Sequence, residues 1–135
     1  MSARAPDALR RLGALATIVV GAVHLQQYAD FIRDVPTIGV LFLLNAAGAG
    51  AVAILLATRR ATLAAVGAIA LSAGAVVSIA ISMTDRGLFD YTEPTFRAPV
   101  AIAVVAEVAA IALLLAYLLV RRMRSRAPRV DWSAR

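Results

Sequence analysis

Four stretches of this chain, residues 12–29, 35–58, 61–84 and 98–120, hold no residue charged at neutral pH except Glu107 in the last. Each is long enough to cross roughly 30 Å of hydrocarbon as a helix. A backbone in hydrocarbon must satisfy its own N–H and C=O groups, which leaves helices and closed barrels as the only spanning structures. The stretches are continuous and rich in Ala and Leu rather than alternating, and about twice the length of a tilted barrel strand. The expected fold is therefore all-α: a four-transmembrane-helix bundle in a single membrane domain, residues 1–135. Its helices are expected at about 10–30, 37–58, 61–84 and 97–121, followed by a basic tail, 121–135. The hydrophobic share of 61% and the mean hydropathy of +0.82 exceed those of an ordinary soluble domain.

Charge sets the expected orientation. All 14 basic residues are arginines, and the net charge is +6. Eleven of them lie on the N-terminal tail, the middle turn (Arg59, Arg60) and the C-terminal tail, with only Asp7 and Asp131 among them. The other two connections carry Arg33, Arg86 and Arg97 against Asp30, Asp34, Asp85, Asp90 and Glu93. Four crossings separate these two sets, and the positive-inside rule places the arginine-rich one, with both termini, in the cytoplasm. Arg121, Arg122, Arg124 and Arg126, with Trp132 beyond, suit an anionic leaflet surface. A nucleic-acid partner is not expected, because the arginines flank apolar spans instead of forming a basic face with stacking aromatics. The N-terminal run could be taken for a signal peptide, but His24-Leu-Gln-Gln-Tyr follows it where a small-residue cleavage site would stand.

Within the spans, small residues recur every fourth position. Gly13, Thr17 and Gly21 run down one face of the first helix toward His24 and Tyr28; Ala70, Gly74, Ser78 and Ser82 do the same on the third. Both stripes are expected to pack closely against neighbouring helices. The connection 84–97 is the longest, and Phe89, Tyr91 and Phe96 in it suit a membrane interface. A weak echo at an offset of 62 residues superimposes Asn45 on Glu107 and Arg59-Arg60 on Arg121-Arg122. It suggests two hairpins of like orientation.

Counting from the flanking arginines locates a polar layer. His24 lies 13 residues beyond Arg11, Asn45 lies 14 before Arg59, Ser72 lies 12 beyond Arg60, and Glu107 lies 14 before Arg121. At 1.5 Å per helical residue all four sit about 18–21 Å from the arginine-rich end. A carboxyl and an imidazole at that depth are expected to turn inward and converge, with Asn45 orienting them, Ser72 at the same level, and Tyr28, Gln26, Gln27 and Asp30 above. Such a group can relay a proton, bind a cation or hold a polar ligand; it can equally be a polar knot that fixes helix register.

Other chemistries find little support. One histidine with one nearby carboxylate is a poor metal set, bis-histidine haem is impossible within one chain, and no cofactor is expected. There are no cysteines, and no phosphate loop, nucleophile elbow or HExxH motif. No catalytic residues are assigned.

The run GAVHLQQY followed by VPTIGVLFLLNAAGA resembles small four-helix bacterial membrane proteins and, loosely, the DoxX-like group. The resemblance covers about the first 50 residues. It implies four helices in a bacterial inner membrane and no residue roles. Three functions remain in view. The first is an intramembrane site for an ion, proton or small ligand, in a transport or accessory role. The second is an interaction subunit of a larger complex or homo-oligomer. The third is a membrane enzyme acting on a lipid or quinone, with His24 as base and Glu107 as acid.

Overall fold

The computed structural model describes residues 4–93 and 95–126. Four α-helices follow one another: α1 (Ala5–Gln27), α2 (Ile38–Leu56), α3 (Ala61–Ser82) and α4 (Ala98–Arg126). A single π-helical turn, Tyr28–Ile32, extends α1, and no strand occurs among the described residues. All four helices are long and apolar enough to cross a membrane. Their outer faces carry many uncovered apolar side chains, such as Ile54, Leu63 and Val105, each about 70% exposed. A soluble monomer rarely shows so much, and the arrangement fits a multi-pass membrane protein.

The helix ends follow from local chemistry. α1 begins earlier than expected, at Ala5, because Pro6 stands in its first turn without costing a hydrogen bond and Asp7 complements the helix dipole. Its C-terminal extension closes with the Arg33 N–H donating to the Tyr28 carbonyl, before Pro36. Thr37 then takes φ 64, an uncommon conformation for a β-branched residue, to start α2. The α2–α3 turn is pinned by the Thr58 hydroxyl, which donates to the Leu55 carbonyl and accepts from the Arg60 N–H. α4 does not stop at Arg121: it continues to Arg126, so the first part of the expected basic tail is helical. Trp132, Arg129 and Arg135 lie outside the described residues.

The helices form a ring in which α1 packs on α2 and α4, α3 closes it between them, and α1 and α3 lie diagonally across. The glycine stripe of α1 packs as expected. A Cβ on Gly21 would stand 3.1 Å from Ala49 Cβ and 3.3 Å from the Ala46 carbonyl, so α2 approaches the α1 backbone there. Gly13 leaves room for the Leu114 side chain, and the Thr17 hydroxyl donates to the Gly13 carbonyl. Near the α2–α3 turn, Leu56, Ala64, Ala65, Ala68, Leu114 and Tyr117 form the main core cluster. The Arg10 guanidinium caps it by donating to the Leu56 carbonyl, one of the last acceptors of α2.

The stripe on α3 behaves differently. Ala61, Ala64, Ala65, Ala68, Ser72 and Ala75 are the buried face of α3, whereas Ala70 and Gly74 are exposed. A Cβ on Gly74 would meet nothing within 4 Å. The expected close packing is therefore absent at Ala70 and Gly74, while Ser82 at the end of the stripe is buried. α2 and α3 are packed together near their turn, and toward their far ends these small residues face a cavity between them.

Candidate polar site inside the bundle

His24 and Glu107 meet. The imidazole Nε2 of α1 stands 3.6 Å from Glu107 Oε1 of α4, with the Glu107 side chain fully enclosed and that of His24 6% exposed. The single turn His24–Gln27 completes α1, and His24 points inward because it continues the buried line through Thr17, Val20 and Gly21. The ring is oriented by its own helix and not by Asn45: Nδ1 is 2.9 Å from the Val20 carbonyl. A carbonyl can only accept, so Nδ1 carries the hydrogen, and the neutral ring presents a lone pair at Nε2. The face of the ring is held by Phe42, with centroids 5.0 Å apart.

This geometry fixes how many protons the pair holds. With Nδ1–H committed to Val20, one proton lies between Nε2 and Oε1, on the acid or on the base. In either arrangement the pair is neutral overall, and a short closure from 3.6 Å makes the hydrogen bond. Two protons would leave an excess positive charge, and none would leave an enclosed carboxylate facing a second lone pair.

Glu107 Oε1 and Oε2, Asn45 Oδ1 and Ser72 Oγ are buried and have no hydrogen-bond partner among the described residues. A buried polar atom left so costs on the order of 1–3 kcal/mol. Asn45 and His24 line a cavity of about 370 Å³ that runs between α2 and α3. Ser72 is buried but is not part of that wall. Tyr28, half-buried, packs over Gly39 and also stands outside it. Of the polar residues above the layer, Gln27 is buried and lines the cavity, while Gln26 and Asp30 are exposed. The walls are mostly apolar, with Leu41, Leu71, Ala75 and Ile79 prominent.

The connection 84–97 roofs the far end, where Leu88, Tyr91 and Glu93 reach the cavity. Gly87, Phe89 and Asp90 take positive φ values, which fold the connection tightly enough for Leu88 and Tyr91 to pair their backbones. Glu93 is enclosed, its side chain 7% exposed, and its carboxylate is fully engaged. Tyr91 Oη donates to it at 2.8 Å, and Arg97 donates through two nitrogens at 2.9 and 3.0 Å. The Glu93 N–H donates to the Ser82 carbonyl, tying the roof to α3, and Arg97 lies 4.9 Å from the Phe31 ring centroid, tying it to the end of α1. Phe89 and Phe96 remain exposed as expected of interfacial rings, whereas Tyr91 is a structural part of the roof.

Burial, followed by the hydrogen bond and charge of Glu93, pushes the Tyr91 phenol up from 10.0 to about 12, against an opposing pull from Arg97. The folded state thus favours the protonated phenol. Its contribution is fully present below the unfolded value near 10 and is lost as pH rises through about 12. Ultraviolet titration of the native protein should show a phenolate band that appears near pH 12 and is missing from Tyr91→Phe; ionisation of Tyr91 near 10 would contradict this geometry.

At the opposite end Arg121 donates to the Tyr117 hydroxyl at 3.0 Å, and Arg121, Arg122, Arg124 and Arg126 are exposed. No group of three or more metal-ligating side chains occurs among the described residues. Compared with known proteins, the chain matches no family model, no curated protein and no solved structure.

Sequence reasoning missed the charged pair that fastens the roof. Glu93 and Arg97 read as ordinary loop charges; their i, i+4 spacing was the available signal.

Proposed function

We propose that this is a bacterial inner-membrane protein with both termini cytoplasmic, whose His24–Glu107 pair is a proton-exchanging site that serves an ion or small ligand in a transport or accessory role. The observation that carries this reading is the 3.6 Å approach of Nε2 to Oε1 beside a cavity. Ionisable groups within membrane spans are expensive, and a pair that holds one proton on either partner stays neutral while exchanging it. Asn45 and Ser72 supply polar oxygens at the same level, and Tyr28 stands one turn above. Among the described residues, Arg4, Arg10 and Arg11, the Arg59–Arg60 pair and the arginines at the C-terminal end of α4 lie toward one end of the bundle, which this reading assigns to the cytoplasm and its anionic headgroups.

The test is proton flux in proteoliposomes under an imposed pH gradient. The native protein should carry flux above that of empty vesicles, and a His24→Phe, Glu107→Leu double variant that keeps its helical content should fall to the empty-vesicle rate. Equal flux from native and double variant would overturn the reading.

One observation favours a second reading, an interaction subunit or homo-oligomer. Ala70 and Gly74 leave a small-residue strip of α3 uncovered, and such strips accept a neighbouring helix. Native mass spectrometry of gently extracted membranes separates the two: a stable complex that survives Gly74→Leu removes the support that the strip gives.

A further inference from the structure

Resting on the proton-exchanging pair proposed above, we infer that the cavity between α2 and α3 is a binding site for a lipophilic primary amine, which enters sideways from the bilayer as the neutral free base, is held as its ammonium and so displaces the proton of the His24–Glu107 pair.

The shape of the cavity gives the route. Its water-facing end is latched by Glu93, held by Tyr91 and Arg97. Its side is open: Leu41 and Leu44 on α2 are 40% and 61% exposed, and on α3 the facing edge is Ala70 and Gly74, with open space where a Gly74 side chain would stand. A ligand that passes between those edges must be soluble in hydrocarbon, and the apolar wall of Leu71, Ala75 and Ile79 suits an alkyl or aryl body.

The inner end gives the head group. Asn45 Oδ1, on a residue of its wall, is unpartnered among the described residues; Glu107 lies outside the wall, but it stands 3.6 Å from His24, which is part of it, and both of its oxygens are likewise without a hydrogen-bond partner. No lysine or arginine lines the cavity. A complementary head group therefore brings N–H donors. Phe42, which lines the cavity beside His24, offers a ring face to a cation. A carboxylate or phosphate head would find no cationic side chain among the described residues at this inner end, only the neutral amide donors of Asn45 and Gln27.

Charge balance gives the coupling. The pair with its one proton is neutral, and the amine crosses as the free base after losing a proton at the membrane surface; an ammonium held beside a pair that kept its proton would place one positive charge in an apolar enclosure. Release of that proton leaves Glu107 ionised, and the site returns to neutrality: neutral pair plus ammonium gives ionised pair with bound ammonium plus one free proton. The titratable groups facing this point are His24 from α1 and Glu107 from α4. α2 and α3 contribute Asn45 and Ser72, which do not titrate, and Tyr91, Glu93 and Arg97 stand at the roof. Amine affinity should then rise about tenfold per pH unit while the pair is protonated.

The experiment uses the full chain in phosphatidylcholine nanodiscs, with empty discs as reference, and titrates n-decylamine, n-decanol and decanoate by calorimetry in buffers of different ionisation enthalpy, which counts the protons released. The native protein should bind n-decylamine saturably with release of about one proton, and bind n-decanol and decanoate at least about tenfold more weakly, the value of one charge-assisted hydrogen bond. Gly74→Phe, whose side chain has open space to enter, should lose amine binding by a similar factor. Glu107→Gln, which keeps the shape of the acid, should weaken it and release no proton. Equal binding of amine and alcohol, or amine binding unchanged in Gly74→Phe, would overturn the inference. If the native protein carries proton flux yet does not bind the amine, the ligand assignment alone falls. If flux is absent while amine binding still depends on Glu107, the ligand assignment stands and the transport role falls.

Discussion

A His24→Phe variant should lose about 1–3 kcal/mol of stability, because the shared proton then stays on Glu107 and its neutral carboxyl is left enclosed without the His24 partner. The side chain of Glu107 has no exposure, and among the described residues Nε2 of His24 stands within 4 Å of it as its ion-pair partner. Adding Glu107→Leu should recover most of the loss, since a buried pair is often matched by apolar side chains of similar volume. Reversible unfolding of both variants in mixed detergent micelles measures the cycle. The same double variant is expected to carry no proton flux. Stability that returns without activity separates a site from a register-fixing knot: a knot is needed for the fold, and a site is not. If the double variant is as unstable as the single one, the pair is structural.

The second large effect lies at the roof. Arg97→Met removes two of the three donors to Glu93, whose side chain is 93% enclosed, and should cost about 3–5 kcal/mol. Arg97→Lys should recover only part of this, because a lysine has no planar fork to match both carboxylate oxygens and stacks less well on Phe31. A Glu93→Gln, Arg97→Met double variant should be more stable than Arg97→Met, the charge having been removed with its partner. Thermal unfolding of the three proteins decides. A loss below about 1 kcal/mol in Arg97→Met would mean that the pair is screened as a surface pair is, and that the roof is not closed.

The four helices were legible because apolar length is a strong signal and each span is bounded by charge or proline. The depth of the polar residues was legible for the same reason: counting from the arginines put His24 and Glu107 at one level, and burial forced both inward. What the sequence could not settle was which of several plausible faces each helix would turn to its neighbours. On α1 the stripe of Gly13, Thr17 and Gly21 is the packed face. On α3 an equally regular stripe, Ala70 to Ser82, lines a cavity, while the alanines beside it pack. Small side chains permit close approach without requiring it, so spacing alone cannot tell a packed stripe from the wall of a cavity. The orientation of His24 was hidden for a different reason. Asn45 was expected to supply it, yet the carbonyl of Val20, one turn back on the same helix, does so, and backbone acceptors are invisible to a reading of side chains. Glu93 was hidden because one of its partners, Tyr91, follows a turn whose positive φ values at Phe89 and Asp90 no residue type demands.

His24 is the only histidine in the chain, so selective 15N-histidine labelling gives one imidazole and one pair of ring signals. NMR of the labelled protein in lipid nanodiscs, recorded across pH and repeated for Glu107→Gln, tests the shared proton directly. Nδ1 should stay protonated throughout, held by Val20, while Nε2 changes in a step that Glu107→Gln displaces. An Nε2 signal that is indifferent to Glu107, or a neutral ring with its hydrogen on Nε2, would contradict the account.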